Sequence, residues 1–203
     1  MSARSVVLIA VLALLGVGAS VTWQQLLAPR ISAAEEHLKA RTWLSVLPAG
    51  SYDNEPLRQP LTLPDPQLAQ STLLGGYLAT LAGKPTAVVL HSRVQGYAGP
   101  IQLLIAIGPD GRVISSHVLQ HQETPGLGAR LTEPGNRWLQ GFDGHSQANT
   151  PEAAWALKRD NGRFDQLAGA SVTSRAVIHA IQDALRYFDE HAQGWLTEGP
   201  AHE

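Results

Sequence analysis

The stretch Asp165-Gln166-Leu167-Ala168-Gly169-Ala170-Ser171-Val172-Thr173-Ser174 lies between a break at Asn161-Gly162-Arg163 and a run in which Val177, Ile181, Leu185 and Phe188 recur at helical spacing. That recurrence puts the four apolar residues on one face of a helix. Ser171, Thr173 and Ser174 therefore fall at or just before a helix N-terminus, where free N–H groups and the positive end of the dipole favour an anion. Gly169 and Ala170 are small enough to let another group come close to the backbone. On spacing alone an ordinary N-cap is the better reading, because Ser and Thr before an apolar-periodic run usually serve that purpose.

Working back from this helix, the chain reads as strands joined by tight turns. Ile101-Gln102-Leu103-Leu104-Ile105-Ala106-Ile107 is the strongest strand candidate, and Gly108-Pro109-Asp110-Gly111 is a turn in which Pro presets φ and Gly takes a positive φ. Arg112 to His121 alternates and pairs back as a hairpin, with Val113, Ser115, His117 and Leu119 predicted on one face and Ile114, Ser116, Val118 and Gln120 on the other. Thr86 to Ser92 is a further strand, and Leu73 to Leu81 is ambiguous between strand and short helix. Asn149 to Leu157 is open between the same two readings, and Arg159 to Gly162 reads as a turn. Trp138, Leu139 and Phe142, around a break at Gly141, read as packing residues. Strands mixed with helices and without a βαβ alternation give an α+β class with a mixed or antiparallel sheet and flanking helices.

At the other end of the chain, Ser5 to Val21 carries no charge, follows Arg4, and extends through Trp23 and Leu26-Leu27 to about the length that spans a bilayer core. A retained transmembrane helix and a cleaved signal peptide, with small residues at Gly16 to Ser20, both fit this pattern. Both place the residues beyond about 30 on the far side of the membrane from the cytoplasm. Ala28 to Leu47 reads as a helix leaving the membrane. Residues 52–72, with Pro56, Pro60, Pro64 and Pro66, read as loop with at most short strands. The predicted organisation is an anchor over 1–27, a linker helix and Pro-rich segment over 28–72, one domain over 73–192, and a frayed tail over 193–203.

Composition removes several functions. With no cysteine, the chain can hold no disulfide and no thiolate-bound cluster or zinc, so redox activity requires a bound cofactor. A net charge of −2 supplies no basic field for nucleic acid. There is no Gly-x-Gly-x-x-Gly and no Gly-Lys-Ser/Thr, and no Gly-x-Ser-x-Gly elbow. The eight histidines include no His-x-x-x-His on a helix, and His117 and His121, on a strand and its end, would stand about 13 Å apart. No metal site is expected.

Two separated segments carry a resemblance. Asp165-x-x-Ala168-Gly169-Ala170-Ser171-x-Thr173 resembles the flavinylation motif of FMN-binding domains, departing from it at Ala168, where the family often has Ser or Thr. His121-Gln122-Glu123-Thr124-Pro125-Gly126-Leu127-Gly128 resembles the Glu-Thr-Pro-Gly-Leu-Gly loop of the same domains. With Gly96-Tyr97-Ala98-Gly99-Pro100-Ile101 upstream, the chain resembles the G subunit of the Rnf/Rsx electron-transport complex and, more distantly, the C subunit of the sodium-pumping NADH:quinone reductase.

The resemblance implies a covalent FMN, joined by a flavin transferase through a phosphoester to Thr173, with Mg2+ needed only during attachment. Gly169, Ala170, Ser171 and Ser174 would surround the phosphate, with Arg175 the nearest cation. Asp165 would help attachment or cap the turn. Glu123 and Thr124 would offer polar contacts, Leu127 an apolar face for the ring, and Gly126 and Gly128 close backbone approach. His121 alone among the histidines would line this loop. It implies an anchor retained in a bacterial inner membrane with the domain on the periplasmic side, other membrane subunits as partners, and electron transfer coupled to ion movement, without turnover by this chain alone. A stand-alone flavoprotein reductase or regulator, and a non-redox binding module whose motif is only a cap, are the alternatives.

Overall fold

The computed structural model describes residues 40–197. The predicted anchor, most of the predicted linker helix and residues 198–203 lie outside them. The chain divides between Thr42 and Trp43, and the domain is the unit that begins at Trp43. Among the described residues no helix is long and apolar enough to cross a membrane.

Four strands, β1 (Ser71–Leu81), β2 (Lys84–Gln95), β3 (Pro100–Ile107) and β4 (Val113–Gln120), form one antiparallel sheet in sequence order, and one long helix, α1 (Ser171–Thr197), follows. The sequence signals for β2, β3 and the 108–111 turn hold. Gly111 has φ 75°, and its N–H donates to the Gly108 carbonyl at 2.9 Å. Leu73 to Leu81 is strand. Its period is hard to read because the pairing of β1 with β2 shifts between Leu73 and Gly75 and again between Ala79 and Thr80.

Alternation in the sheet sorts two apolar layers. The pairs Leu90 with Ile105 and Val94 with Ile101 lie in the core that contains α1. The alternate pairs, Val89 with Ala106 and His91 with Leu104, point the other way: Val89, Leu104 and Ala106 pack with Val46 and Leu47, with Trp43 and Leu44 against them. Both faces are covered, and this is why Leu103 to Ile107 of β3 is apolar without a break. β4 departs from strict alternation. Val113 pairs with Ile107 and Ser115 with Ala106, so Ile114 is an extra residue and Val113 joins the helix-side core with Val118. Ile114 and Leu119 pack on the opposite layer. The face assignment that put Val113 with Ser115, His117 and Leu119 is corrected by this bulge, which inserts one residue and reverses the side chains beyond it.

Val177, Ile181, Leu185 and Phe188 are buried as their spacing predicts, but so are Ile178, Ala180 and Ala184. The buried width exceeds one stripe because the same core includes Phe142, Trp155, Phe164 and Leu167, from the segment between β4 and α1. Fully burying one such aliphatic side chain contributes about 1.5–3 kcal/mol. That segment is built of short 3-10 turns, including Trp138–Phe142, Glu152–Ala154 and Lys158–Asp160, and Asn149 to Leu157 forms neither a strand nor an α-helix. Phe142 and Phe164 lie 4.6 Å apart between ring centres, and Phe164 and Trp155 5.1 Å. The helix also continues past Gln193 to Thr197, and Trp195 stacks 5.7 Å from His191 and 5.8 Å from Tyr187. Residues 193–197, predicted as part of a frayed tail, are helical.

One polar tie fixes α1 to the sheet. Asp183 is buried in the helix, and its Oδ2 accepts the Gln70 N–H and the Ser71 hydroxyl, both at 2.9 Å. Replacing Asp183 by Ala strands both donors at the start of β1, so Asp183→Ala is expected to lower unfolding stability by about 2–4 kcal/mol, read from urea titration.

A pH dependence follows from two histidines. Burial, with help from Arg163, lowers His145 below its ordinary 6.5. Burial also lowers His179, opposed by Asp183 and aided by Arg175 and Arg186. A base lowered in the folded state binds its proton better when unfolded. Their contribution is thus fully present above the unfolded pKa and is lost as pH falls below it. Stability should fall between about pH 7.5 and pH 5.5, and His145→Gln should flatten the slope.

Candidate functional site

At one end of the sheet three turns converge. The β2–β3 connection closes through Gly96 N–H donating to Gly99 O at 2.9 Å. The chain leaving β4 forms the 121–128 loop, and α1 begins at Ser171. Antiparallel pairing brings the first two together, because β2 ends, β3 begins and β4 ends at the same edge of the sheet.

Glu123 joins all three. It is 5% exposed, and its Oε1 accepts the N–H groups of Tyr97 at 2.9 Å and Ala98 at 3.2 Å. Its Oε2 accepts the Thr173 hydroxyl at 2.5 Å, and Thr173 is 1% exposed. A buried carboxylate is tolerated only when its oxygens are hydrogen-bonded. The three donors come from two segments remote in sequence. The neighbouring glycines are there for space. A Cβ on Gly128 would lie 2.4 Å from Glu123 Oε2 and 2.8 Å from Thr173 Oγ1, and one on Gly96 would lie 2.3 Å from Glu123 Oε1.

The loop beyond Glu123 lies over the motif. Leu127 and Ala129 donate their N–H groups to the Thr124 carbonyl at 3.1 Å, closing a turn in which Gly126 has φ 74°. Gly169 also has positive φ, and a Cβ there would meet Leu127 Cδ2 at 2.8 Å. His121 braces the loop from below. Its Nδ1 accepts the Glu123 N–H at 3.2 Å, so Nε2 carries the proton, facing Thr132 Oγ1 at 2.9 Å.

The other predicted residues separate by role. Ser174 is fully buried; its hydroxyl accepts the Leu167 N–H at 3.0 Å and donates to Ala170 O at 2.8 Å. Both of these bonds hold the turn before the helix. Ala170 is buried beside it. Ser171 is partly exposed and lies within reach of a cation, but that cation is Arg159, whose Nη1 donates to Ser171 Oγ at 3.2 Å. Arg175 is instead paired with Asp160 at 2.8 Å. Asp165 is exposed, pairs with Lys158 at 2.7 Å, and accepts the Trp138 indole N–H through its backbone carbonyl at 2.7 Å. It makes no hydrogen bond to Thr173 among the described residues. Thr124 is exposed at the rim.

Three of the exposed large apolar side chains stand on the segments that meet at Thr173: Tyr97 at 71%, Leu127 at 43% and Val172 at 48% exposure. A cleft of about 430 Å3 is lined by Arg130, Trp138, Gln166, Leu167 and Ala168. Among the described residues no group of acidic or histidine side chains could hold a metal ion.

A helix start, an arginine on its first hydroxyl and exposed apolar side chains beside a buried threonine suit an anionic ligand with an apolar part. Residues 96–186 match the FMN-binding domain family, a span that contains all three converging segments. The chain is 42% identical to the G subunit of the ion-translocating oxidoreductase complex of Pseudomonas aeruginosa, over 98% of this chain and 95% of that protein. It belongs to this family of G subunits. The likeness extends to the G subunit of the same complex in Stutzerimonas stutzeri, 39% identical over 89% of this chain and 75% of that one. It extends also to that of Vibrio cholerae, 35% identical over 92% and 90%. A crystal structure of Shewanella oneidensis NqrC aligns with a TM-score of 0.45 at 23% identity, over 59% of this chain and 61% of that one.

For this member of the family, sequence reasoning pointed to Glu123, Leu127 and the 165–174 motif but missed the Tyr97 and Ala98 N–H groups and Arg159. A turn N–H has no residue signature, and Arg159 is 12 positions from Ser171, too far for any local pattern. Gly128→Ala should disturb the site far more than Gly126→Ala. The first forces Glu123 and Thr173 apart, whereas nothing lies within 4 Å of a Cβ at Gly126 and only its positive φ resists substitution, at about 1–2 kcal/mol. Urea titration of both variants checks the difference.

Proposed function

We propose that this chain is the membrane-anchored flavoprotein subunit of an ion-translocating oxidoreductase complex, carrying electrons through an FMN joined by a phosphoester to Thr173. The observation that carries the reading is the placement of Thr173. It is the one hydroxyl of the motif that sits at the helix start, touches the 121–128 loop through Glu123, and is not used to hold its own turn. The family match over residues 96–186 supports FMN, and the relatives, each named as part of an ion-translocating oxidoreductase complex, support membership of such an assembly.

FMN supplies the electron-accepting ring; the chain supplies attachment, orientation and the surrounding field. The first-turn N–H groups of α1 have no intrahelical partner and offer donors to the phosphodiester. Arg159 adds a cation at Ser171, and a guanidinium suits phosphate oxygens. Leu127, Val172 and Tyr97 provide the apolar ground beside the attachment point for the ring. Asp165 stands at the exposed mouth of the motif, where it is accessible to the flavin transferase that performs attachment with Mg2+. A tether suits a domain held outside the cytoplasm by the 1–27 anchor, since a flavin lost there is not replaced from the cytosolic pool.

The test is covalent flavin itself. Wild type and Thr173→Ala, made with an active flavin transferase and exported, are separated on a denaturing gel. Wild type should give a flavin-fluorescent band and Thr173→Ala none, while Thr173→Ser, which keeps a hydroxyl, should retain part of the signal. A dark wild-type band, or fluorescence surviving in Thr173→Ala, would refute the assignment.

A further inference from the structure

We propose that Glu123 is the proton acceptor for Thr173 during attachment, so that the chain brings its own base to its own modification. This rests on the reading that Thr173 is the acceptor of the flavin phosphoryl group. Glu123 Oε2 is 2.5 Å from Thr173 Oγ1, the atom that must lose a proton, and both side chains are buried. The other carboxylate oxygen is held by two backbone donors, Tyr97 N–H and Ala98 N–H. All three hydrogen bonds are donated to the carboxyl group, which leaves it acting as acceptor and aimed at the hydroxyl.

A threonine hydroxyl is a weak nucleophile, and phosphoryl transfer to a hydroxyl is served by a carboxylate that takes the proton as the bond forms. The co-reactant is a flavin mononucleotide activated as a phosphoanhydride with a second nucleotide. The Thr173 Oγ1–H bond breaks and its proton passes to Glu123. The Oγ1–P bond forms, the P–O bond of the anhydride breaks, and the second nucleotide leaves with that electron pair and its phosphate. No electron is gained or lost overall, and Glu123 later returns its proton to water.

Thr173 is 1% exposed and Gly128 lies against its hydroxyl, so approach requires movement of the 125–128 segment, and the anchoring of Glu123 allows this. Its carboxylate is fixed to the 97–98 turn, not to residues 125–128, and Gly126 and Gly128 flank the piece that must swing. The base stays aimed while the cover opens.

The experiment uses the full-length chain in detergent with a flavin transferase, flavin adenine dinucleotide and Mg2+. Covalent incorporation is followed by in-gel fluorescence and intact mass. Glu123→Gln keeps the shape and an acceptor oxygen for the two N–H groups but removes the base. It should melt near the wild-type temperature and incorporate flavin about 100-fold or more slowly, the scale of lost general-base catalysis. The acid limb of the wild-type pH–rate profile should also disappear in this variant, a change that a merely structural role would not produce. Glu123→Gln incorporating flavin within about threefold of wild type overturns the proposal. Should Glu123→Gln fail to fold, Glu123→Asp decides. A carboxylate drawn back by one methylene predicts a loss of more than about tenfold, and a wild-type rate overturns the base role. A wild type that stays dark defeats both the attachment reading and this one, whereas a bright wild type with a bright Glu123→Gln defeats only the base.

Discussion

Glu123 is an acid buried where three turns meet, and among the described residues it has no cationic partner. Taking a carboxylate out of water is costly unless its oxygens find donors. Here the donors are two N–H groups of the 97–98 turn and the hydroxyl of Thr173. The rest of the site is arranged around that requirement. Gly96 and Gly128 lack side chains because a Cβ at either position would collide with the carboxylate. His121 holds the Glu123 N–H from behind. The motif's second hydroxyl, Ser174, is taken up in closing the turn that presents the first.

The sheet makes this meeting possible. A four-stranded antiparallel meander returns its β2–β3 turn and the end of β4 to one edge, and α1 starts there and runs toward the opposite turn, where Gly111 approaches Asp189. Rigidity comes from burial on both sheet faces and around most of the helix, with Asp183 tying the helix to the start of β1. A site built from turns is thus carried by elements with little freedom to move. The 124–127 loop of the site is exposed, with Leu127 set against Gly169.

That arrangement also accounts for the different fates of the motif residues. Hydroxyls at a helix start look alike in sequence, yet one is exposed to an arginine, one is fully enclosed by its own turn, and one is handed to a carboxylate 50 residues away. The exposed apolar side chains Tyr97, Leu127 and Val172 sit on the three segments that the carboxylate joins, so the polar contact beneath and the apolar surface above have the same cause.

Local pattern by itself determined much of this protein. The helical spacing of Val177, Ile181, Leu185 and Phe188, the Gly108 to Gly111 turn and the apolar run of β3 are each read within a few residues, because backbone preference and periodicity act over that range. The two motif segments were legible for the same reason, as short strings. Tertiary structure alone decided the face of Val113, which depends on a bulge set by pairing with β3, and the extent of α1, which Trp195 prolongs by packing back on Tyr187 and His191. It alone decided that Arg159, not Arg175, reaches Ser171, and that Glu123 and Thr173 share a proton's width of space. Hydrogen bonds between residues distant in the chain are chosen by how the sheet returns its turns, and no window of sequence contains both partners.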